Sequence, residues 1–243
     1  MRSLDGVRLL VVGASSGIGR ATAELAAAEG ARVAAVARRA DKLGELVASL
    51  PDAIAVSGDV RDQRACADVV AKASAEFDGL DAVAYVAGVT PVGLLAEPEA
   101  DQWAAAFETN TFGAVAVARA SIPHLSASEG RIVFVSSNAT ERPWPGMVAY
   151  AASKAALDVF VAGLRTEHPE IGATRLVCGP TLTEIGFSMD FEIAARLHPL
   201  WVEGAWLAAD PVIQQPEDVA REILNAIRST TRVTDVRVVP PGV

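Results

Sequence analysis

The chain has 243 residues, 51% of them hydrophobic and 21% charged, and no Pro/Gly/Ser-rich stretch or charge run divides it, so one domain over residues 1–243 is expected. A formal net charge of -9 and an isoelectric point of about 4.9, with the two signs interspersed, leave no basic stripe for phosphates and exclude nucleic acid as a partner. A mean hydropathy of +0.30 comes from scattered Ala and Val, with no apolar run long enough to span a bilayer, so no membrane association is expected. Asp5 and Arg8 ahead of the first apolar run do not fit a signal peptide, and a cytoplasmic location is expected.

In chain order, Val/Ile/Leu/Ala-rich runs at 7–12, 32–37, 53–56, 80–87, 131–136, 173–178 and 235–239 read as strands buried on both faces, the mark of a parallel sheet. Helical stretches with apolar residues three and four apart lie between them at 17–29, 41–49, 63–77, 100–125, 150–166 and 217–228. Strict alternation predicts a doubly wound α/β fold, a seven-stranded parallel sheet flanked by helices, which binds ligands at the carboxyl ends of its strands. Residues 181–212 interrupt the pattern with Trp201, Trp206, Phe187, Phe191, Met189 and several Pro and Gly, and read either as a substrate-covering loop or as a packing insertion or subunit contact. Cys66 and Cys178 form no Cys-x-x-Cys pair, and His124, His168 and His198 are scattered, so no metal site is expected.

The first strand runs into Gly13-Ala14-Ser15-Ser16-Gly17-Ile18-Gly19 and then a helix. Glycines permit a tight turn and close backbone approach, while the helix N-terminus offers free N–H donors, so an anion is expected there. Further on, Ser137 precedes Tyr150 by thirteen residues, and Lys154 follows Tyr150 by four. On a helix that last spacing places both side chains on one face, where an ammonium would lower the phenol's pKa toward the range useful for general acid–base work.

The glycine spacing together with Tyr-x-x-x-Lys resembles the short-chain dehydrogenase/reductase family, over nearly the whole chain. The resemblance implies a Rossmann fold and a catalytic set of Asn110, Ser137, Tyr150 and Lys154. In it Tyr150 exchanges a proton with the substrate oxygen, Ser137 holds that oxygen, Lys154 binds the nicotinamide ribose, and Asn110 holds a water. Ser136, by strand alternation, is structural. Where NAD-preferring members carry an acidic residue after strand two, this chain has Arg38 and Arg39, which points to NADP(H), with Arg38 the first choice for the 2'-phosphate. Asp59 and Val60 correspond to the adenine-contacting pair, and Ala87 and Gly88 to the close approach at the nicotinamide ribose.

Three departures stand out: Val12 replaces a Thr, Tyr85-Val86 replaces Asn-Asn, and after Pro180 the chain reads Thr181-Leu182-Thr183-Glu184-Ile185, leaving Thr183 or Thr181 to meet the carboxamide. The expected reaction is hydride transfer between NADP(H) and a carbonyl or secondary alcohol, and the alternative is a catalytically silent NADP(H)-binding sensor or scaffold. Loops 89–97, 138–147 and 181–212 would shape the pocket, and their Trp144, Phe187 and Trp201 suit an apolar substrate, with a charged carrier-bound one still open. The Ala-rich faces of 104–120 and 151–164, where the family pairs its subunits, imply a homodimer or homotetramer.

Overall fold

The computed structural model describes residues 1–97, 100–184, 191–208 and 210–240. Its strands are β1 (Arg8–Val12), β2 (Arg32–Ala37), β3 (Ala53–Ser57), β4 (Ala82–Tyr85), β5 (Arg131–Ser137), β6 (Gly172–Cys178) and β7 (Asp235–Val238). They form one parallel sheet in the order β3-β2-β1-β4-β5-β6-β7. The helices are α1 (Gly17–Ala28), α2 (Ala40–Ala48), α3 (Gln63–Phe77), α4 (Ala100–Phe107), α5 (Gly113–Ser128), α6 (Val148–Glu167), α7 (Phe191–Glu203) and α8 (Pro216–Ile227). This is the doubly wound Rossmann architecture, and its strand order reverses between β1 and β4, which opens a crevice at their carboxyl ends.

Period-two alternation divides the core. Leu10, Val12, Ala34, Val36, Ile132 and Phe134 face α3, α5 and α6, whereas Leu9, Val11, Val33, Ala35, Val133 and Val135 face α1, α2 and α8. Local signals set the helix ends. Asp62 caps α3 by accepting from the amides of Arg64 and Ala65, and α8 opens on Pro216 with the Gln215 amide donating to Asp218.

The sheet departs from the sequence expectation at both edges. β7 alternates between exposed and half-buried positions and β3 is mostly half-buried, because each has a neighbour on one side only. β4 is shorter than 80–87, since the amides of Val86 and Ala87 both turn onto the Val12 carbonyl at 2.9 Å. The expected helix 100–125 is interrupted by a π-turn at Glu108–Phe112. The segment 181–212 is not an irregular loop throughout, for α7 runs through it, with Leu197 and Trp201 on its buried face. Phe187, Met189 and Ile185 lie outside the described residues. Among the described residues no helix is long and apolar enough to cross a membrane.

Candidate active site

A cleft of about 1140 Å³ runs along the carboxyl edge of the sheet. It is lined by Gly13, Ser15, Ser16, Gly17, Ile18, Arg38, Arg39, Asp59, Val60, Ala87, Gly88, Ser137, Tyr150, Lys154, Pro180, Thr181 and Thr183, so the structure brings together nearly every site residue read from the sequence. Gly19 and Asn110 stand behind its wall. Gly19 packs directly on the Gly13 carbonyl, and Asn110 is fully buried.

At one end β1 delivers the glycine turn to the N-terminus of α1. Gly13 has φ +97°, and a Cβ there would stand 2.6 Å from the Ala87 amide nitrogen, so backbone meets backbone across the β1–β4 crevice. The arginine that reaches over this turn is Arg39. Its guanidinium donates to the Ser15 and Ser16 hydroxyls at 2.9 and 3.1 Å and pairs with Glu184 at 2.8 Å, an ion pair that spacing could not show because its members lie on β2 and β6 connections. Arg38 is exposed on the Asp59 side. Asp59 holds Arg61 through both carboxylate oxygens, and that hydrogen bonding keeps its carboxyl below the usual range despite some desolvation.

At the other end β5 and α6 meet. Ser137 closes β5 and faces the cleft, while Ser136 points away and is buried without a hydrogen-bond partner. Tyr150 lies in the first turn of α6, with the hydroxyls of Ser137 and Thr90 on the cleft wall beside its phenol. Thr90 was not singled out in the sequence. Its segment follows β4 directly, and that position at a strand end was the available signal. Lys154 is buried, and its ammonium donates to the Val135 carbonyl at 2.7 Å, with the Tyr150 ring centroid 6.0 Å away. The expected lowering of the phenol by Lys154 is therefore not seen. Burial holds the Tyr150 phenol well above its ordinary value, and the two hydroxyls only partly offset it.

Asn110 is presented by the π-turn. Its Oδ1 accepts from the Val89 amide at 2.8 Å, and its Nδ2 donates to the Val89 carbonyl and the Ser153 hydroxyl, each at 2.9 Å. Ser153 in turn donates to the Tyr150 carbonyl at 2.7 Å, so Asn110 ties the β4 loop that carries Thr90 to the helix that carries Tyr150. Tyr85, one of the departures from the family pattern, is fully buried and donates its hydroxyl to the Thr109 carbonyl of the π-turn at 2.6 Å. A Cβ on residue 113 would stand 2.6 Å from that hydroxyl, so Gly113 makes the room. The changed residue braces the segment that presents Asn110 instead of loosening it.

The segment after β6 is pinned at its neck. Gln214 donates to the Thr181 hydroxyl at 2.9 Å, Thr181 donates to the Gly179 carbonyl at 2.9 Å, and the Leu182 amide reaches the Gln214 carbonyl. Thr181 is thus occupied in holding the neck, whereas the Thr183 methyl lies against Gly17. Beyond the neck α7 returns over Tyr150 and joins Trp144, Met147 and Val92 in an apolar cluster.

Burial lowers Lys154 from 10.5 to about 8, against a smaller upward pull from Cys178 and Asp158. Below about pH 8 the ammonium is charged in folded and unfolded chains alike, and its burial cost is fully present. Between about 8 and 10.5 the folded chain has lost a proton that the unfolded chain keeps, so this group makes stability rise with pH. Relative to Lys154→Met, the wild type is expected to gain about 2–3 kcal/mol in unfolding free energy between pH 7.5 and 10. Urea denaturation of both proteins at the two pH values measures it, and a parallel course would show that Lys154 titrates normally.

A glycine turn at the reversal of strand order, opposed in one cleft by a Ser/Tyr/Lys cluster, is a Rossmann-type arrangement with an anion-binding turn at one end and titratable hydroxyls at the other. Comparison with known proteins narrows the class. A family model described as short chain dehydrogenase matches residues 8–191, and the chain belongs to that family. It is 39% identical over 171 residues to an uncharacterised oxidoreductase of Schizosaccharomyces pombe, covering 67% of this chain and 66% of that one. It is 32% identical over 235 residues to 11-beta-hydroxysteroid dehydrogenase A of Sesamum indicum, covering 93% of this chain and 67% of that one. The chain thus spans about two thirds of the length of these curated relatives. A short chain dehydrogenase from Burkholderia cenocepacia in complex with NADP superposes with a TM-score of 0.85 at 27% identity, covering 99% of each chain.

Proposed function

We propose that this chain is an NADP(H)-dependent reductase or dehydrogenase of ketones, aldehydes or secondary alcohols, with Tyr150 as general acid and base. The observation that carries the reading is the convergence of Ser137, at the end of β5, with Tyr150 and Lys154 of α6 inside the cleft that begins at the glycine turn. The cleft fits the cofactor. Close backbone approach at Gly13 and Ala87, free amides at the start of α1, and two arginines at the far end match a pyrophosphate and a 2'-phosphate. When bound, the nicotinamide supplies or accepts the hydride.

The chain's own residues do the rest. Ser137 donates to the substrate oxygen and fixes it beside Tyr150, which gives up or takes the proton as the oxygen's charge changes. Thr90 sets a second hydroxyl beside the phenol, within reach of the phenolate left after proton transfer. Lys154, whose ammonium lies close to Gly88, would hold the ribose hydroxyls, and Asn110 holds the surrounding segments in register. Its side-chain amide is committed to Val89 and Ser153, which supports a positioning role.

The relatives' names support redox chemistry at hydroxyl or carbonyl carbon, and the NADP-complexed structural neighbour supports the cofactor. Arg38→Ala is expected to weaken NADPH binding by about 10- to 100-fold, the scale of charge-assisted bonds to phosphate, and to leave NADH binding within about twofold. Fluorescence titration of both nucleotides checks this, and equal losses for the two would remove the 2'-phosphate assignment. The sensor alternative drew on the altered Tyr85-Val86 and Thr181–Ile185 segments, and the bond from Tyr85 to Thr109 answers the first of these. We also propose a homodimer or homotetramer paired through α5 and α6, the second of which exposes Val159.

The overall test is NADPH and NADH consumption against a panel of ketones and aldehydes. Turnover preferring NADPH supports the reading. Nucleotide binding without turnover across the panel would return the sensor alternative.

A further inference from the structure

Three arginines line the nucleotide end of the cleft, and they are not equivalent. Arg61 is held by both oxygens of Asp59 and Arg39 is paired with Glu184 at 2.8 Å, whereas Arg38 forms no ion pair among the described residues. Arg39 makes its pair through Nη2, the nitrogen that also donates to the Ser15 and Ser16 hydroxyls. Its charge is therefore already balanced, and the balancing carboxylate stands at the glycine turn, where an anion is to be received.

Glu184 reaches this place by a fixed route. Past the end of β6 the chain is pinned where the Gln214 side chain donates to Thr181 and the Leu182 amide donates to the Gln214 carbonyl. Thr183 then packs on the turn, for a Cβ on Gly17, whose φ is +50°, would stand 3.1 Å from the Thr183 methyl. Glu184 follows directly, so the neck delivers its carboxylate to Arg39. The bond from Arg39 holds that carboxyl below its usual range, which leaves it charged at neutral pH.

We propose that Glu184 is a specificity-determining residue for the nucleotide: by neutralising Arg39 it lowers affinity for the 2'-phosphate of NADP(H), leaves Arg38 to read that group, and narrows the preference over NAD(H). The proposal rests on the NADP(H) reading of the cleft. Arg38 and Arg39 follow β2 about twenty residues beyond the glycine turn, the separation at which such folds read the ribose 2' position. A phosphate arriving there meets the Glu184 carboxylate as a like charge and has to displace it to engage Arg39 fully. NAD(H) brings a hydroxyl to the same place and meets no such competition. The side chains of Arg39 and Glu184 are 45% and 55% exposed, so solvent screens the pair, its effect is a few-fold, and the fold does not depend on it.

Isothermal titration of NADP+ and NAD+ into the wild type, Glu184→Gln, Arg39→Ala and the double variant tests it. Glu184→Gln is expected to tighten NADP+ by about 5-fold and to change NAD+ by less than about twofold. Arg39→Ala is expected to shift NADP+ by less than about threefold on its own, yet to abolish the gain in the Glu184→Gln background, because the carboxylate acts through this guanidinium. Unchanged NADP+ affinity in Glu184→Gln would overturn the proposal, as would a gain that persists without Arg39. Equal tightening of both nucleotides would overturn it too, by showing that the carboxylate opposes the pyrophosphate. So would weaker binding of both, which would make the pair a clasp over the bound nucleotide. If neither nucleotide bound any of the four proteins, the cofactor reading itself would fall and this inference with it, whereas the other adverse results leave that reading standing, so the two failures are distinguishable.

Discussion

Tyr150→Phe is expected to lower kcat by about 10³-fold, within the range that general acid–base groups contribute, while the dissociation constant for NADPH changes less than about threefold. The ring itself belongs to the apolar cluster with Trp144 and Trp201, so Phe preserves the packing and removes only the oxygen that stands beside the Ser137 and Thr90 hydroxyls. Lys154 keeps its bond to Val135, leaving the ribose side of the site in place. Steady-state kinetics and nucleotide titration on the same preparation measure both quantities. Loss of binding in step with loss of turnover would mean that the phenol is structural, and retention of most of the turnover would remove Tyr150 as the proton donor.

Gly13→Ala is expected to destabilise the fold by about 2–4 kcal/mol, the sum of a positive-φ penalty and an overpacked backbone contact. At φ +97° the new methyl would stand 2.6 Å from the Ala87 nitrogen and 2.8 Å from its Cα, atoms of the backbone that cannot rotate away. The β1–β4 crevice would have to open, so nucleotide binding is expected to fall with stability. Chemical denaturation gives the first and titration the second. A variant with wild-type midpoint and affinity would show that the turn relaxes freely and that its tight form is not required.

Both predictions rest on motifs visible in the amino-acid order. The glycine turn, Ser137, Tyr150 and Lys154 are short-range patterns whose meaning depends on a strand before or a helix beneath them, and hydrophobic period announces those elements. The doubly wound class followed from the same source, because alternating strands and helices leave few topologies, while the order of the strands came from their pairing. Edge strands were misjudged as doubly buried, since β7 and β3 resemble central strands in composition, and only pairing shows which have one neighbour.

Contacts between distant segments were not legible. Helical period marks residues 100–125 as continuous, yet the π-turn that presents Asn110 is held by Tyr85 from β4, 24 residues away. The segment 181–212 has weak periodicity because Pro199 interrupts its pattern, and what makes α7 a buried cover is the seat that Gly146 and Pro145 provide for Leu197 and Trp201. Arg39 rather than Arg38 crosses the glycine turn for the same kind of reason: its partner Glu184 lies beyond β6.

By itself, then, the sequence determined the doubly wound fold, the family and the residues able to do proton transfer, because hydrophobic period and motif spacing are local properties of the chain. Tertiary structure alone decided that Thr90 stands beside the phenol, that Lys154 sits on Val135 with its pKa lowered by burial, and that Trp201 of α7 packs on Trp144 next to Tyr150. Each of these depends on which distant side chains are brought within hydrogen-bond or van der Waals reach and on how much water they displace, quantities that exist only once the chain has folded.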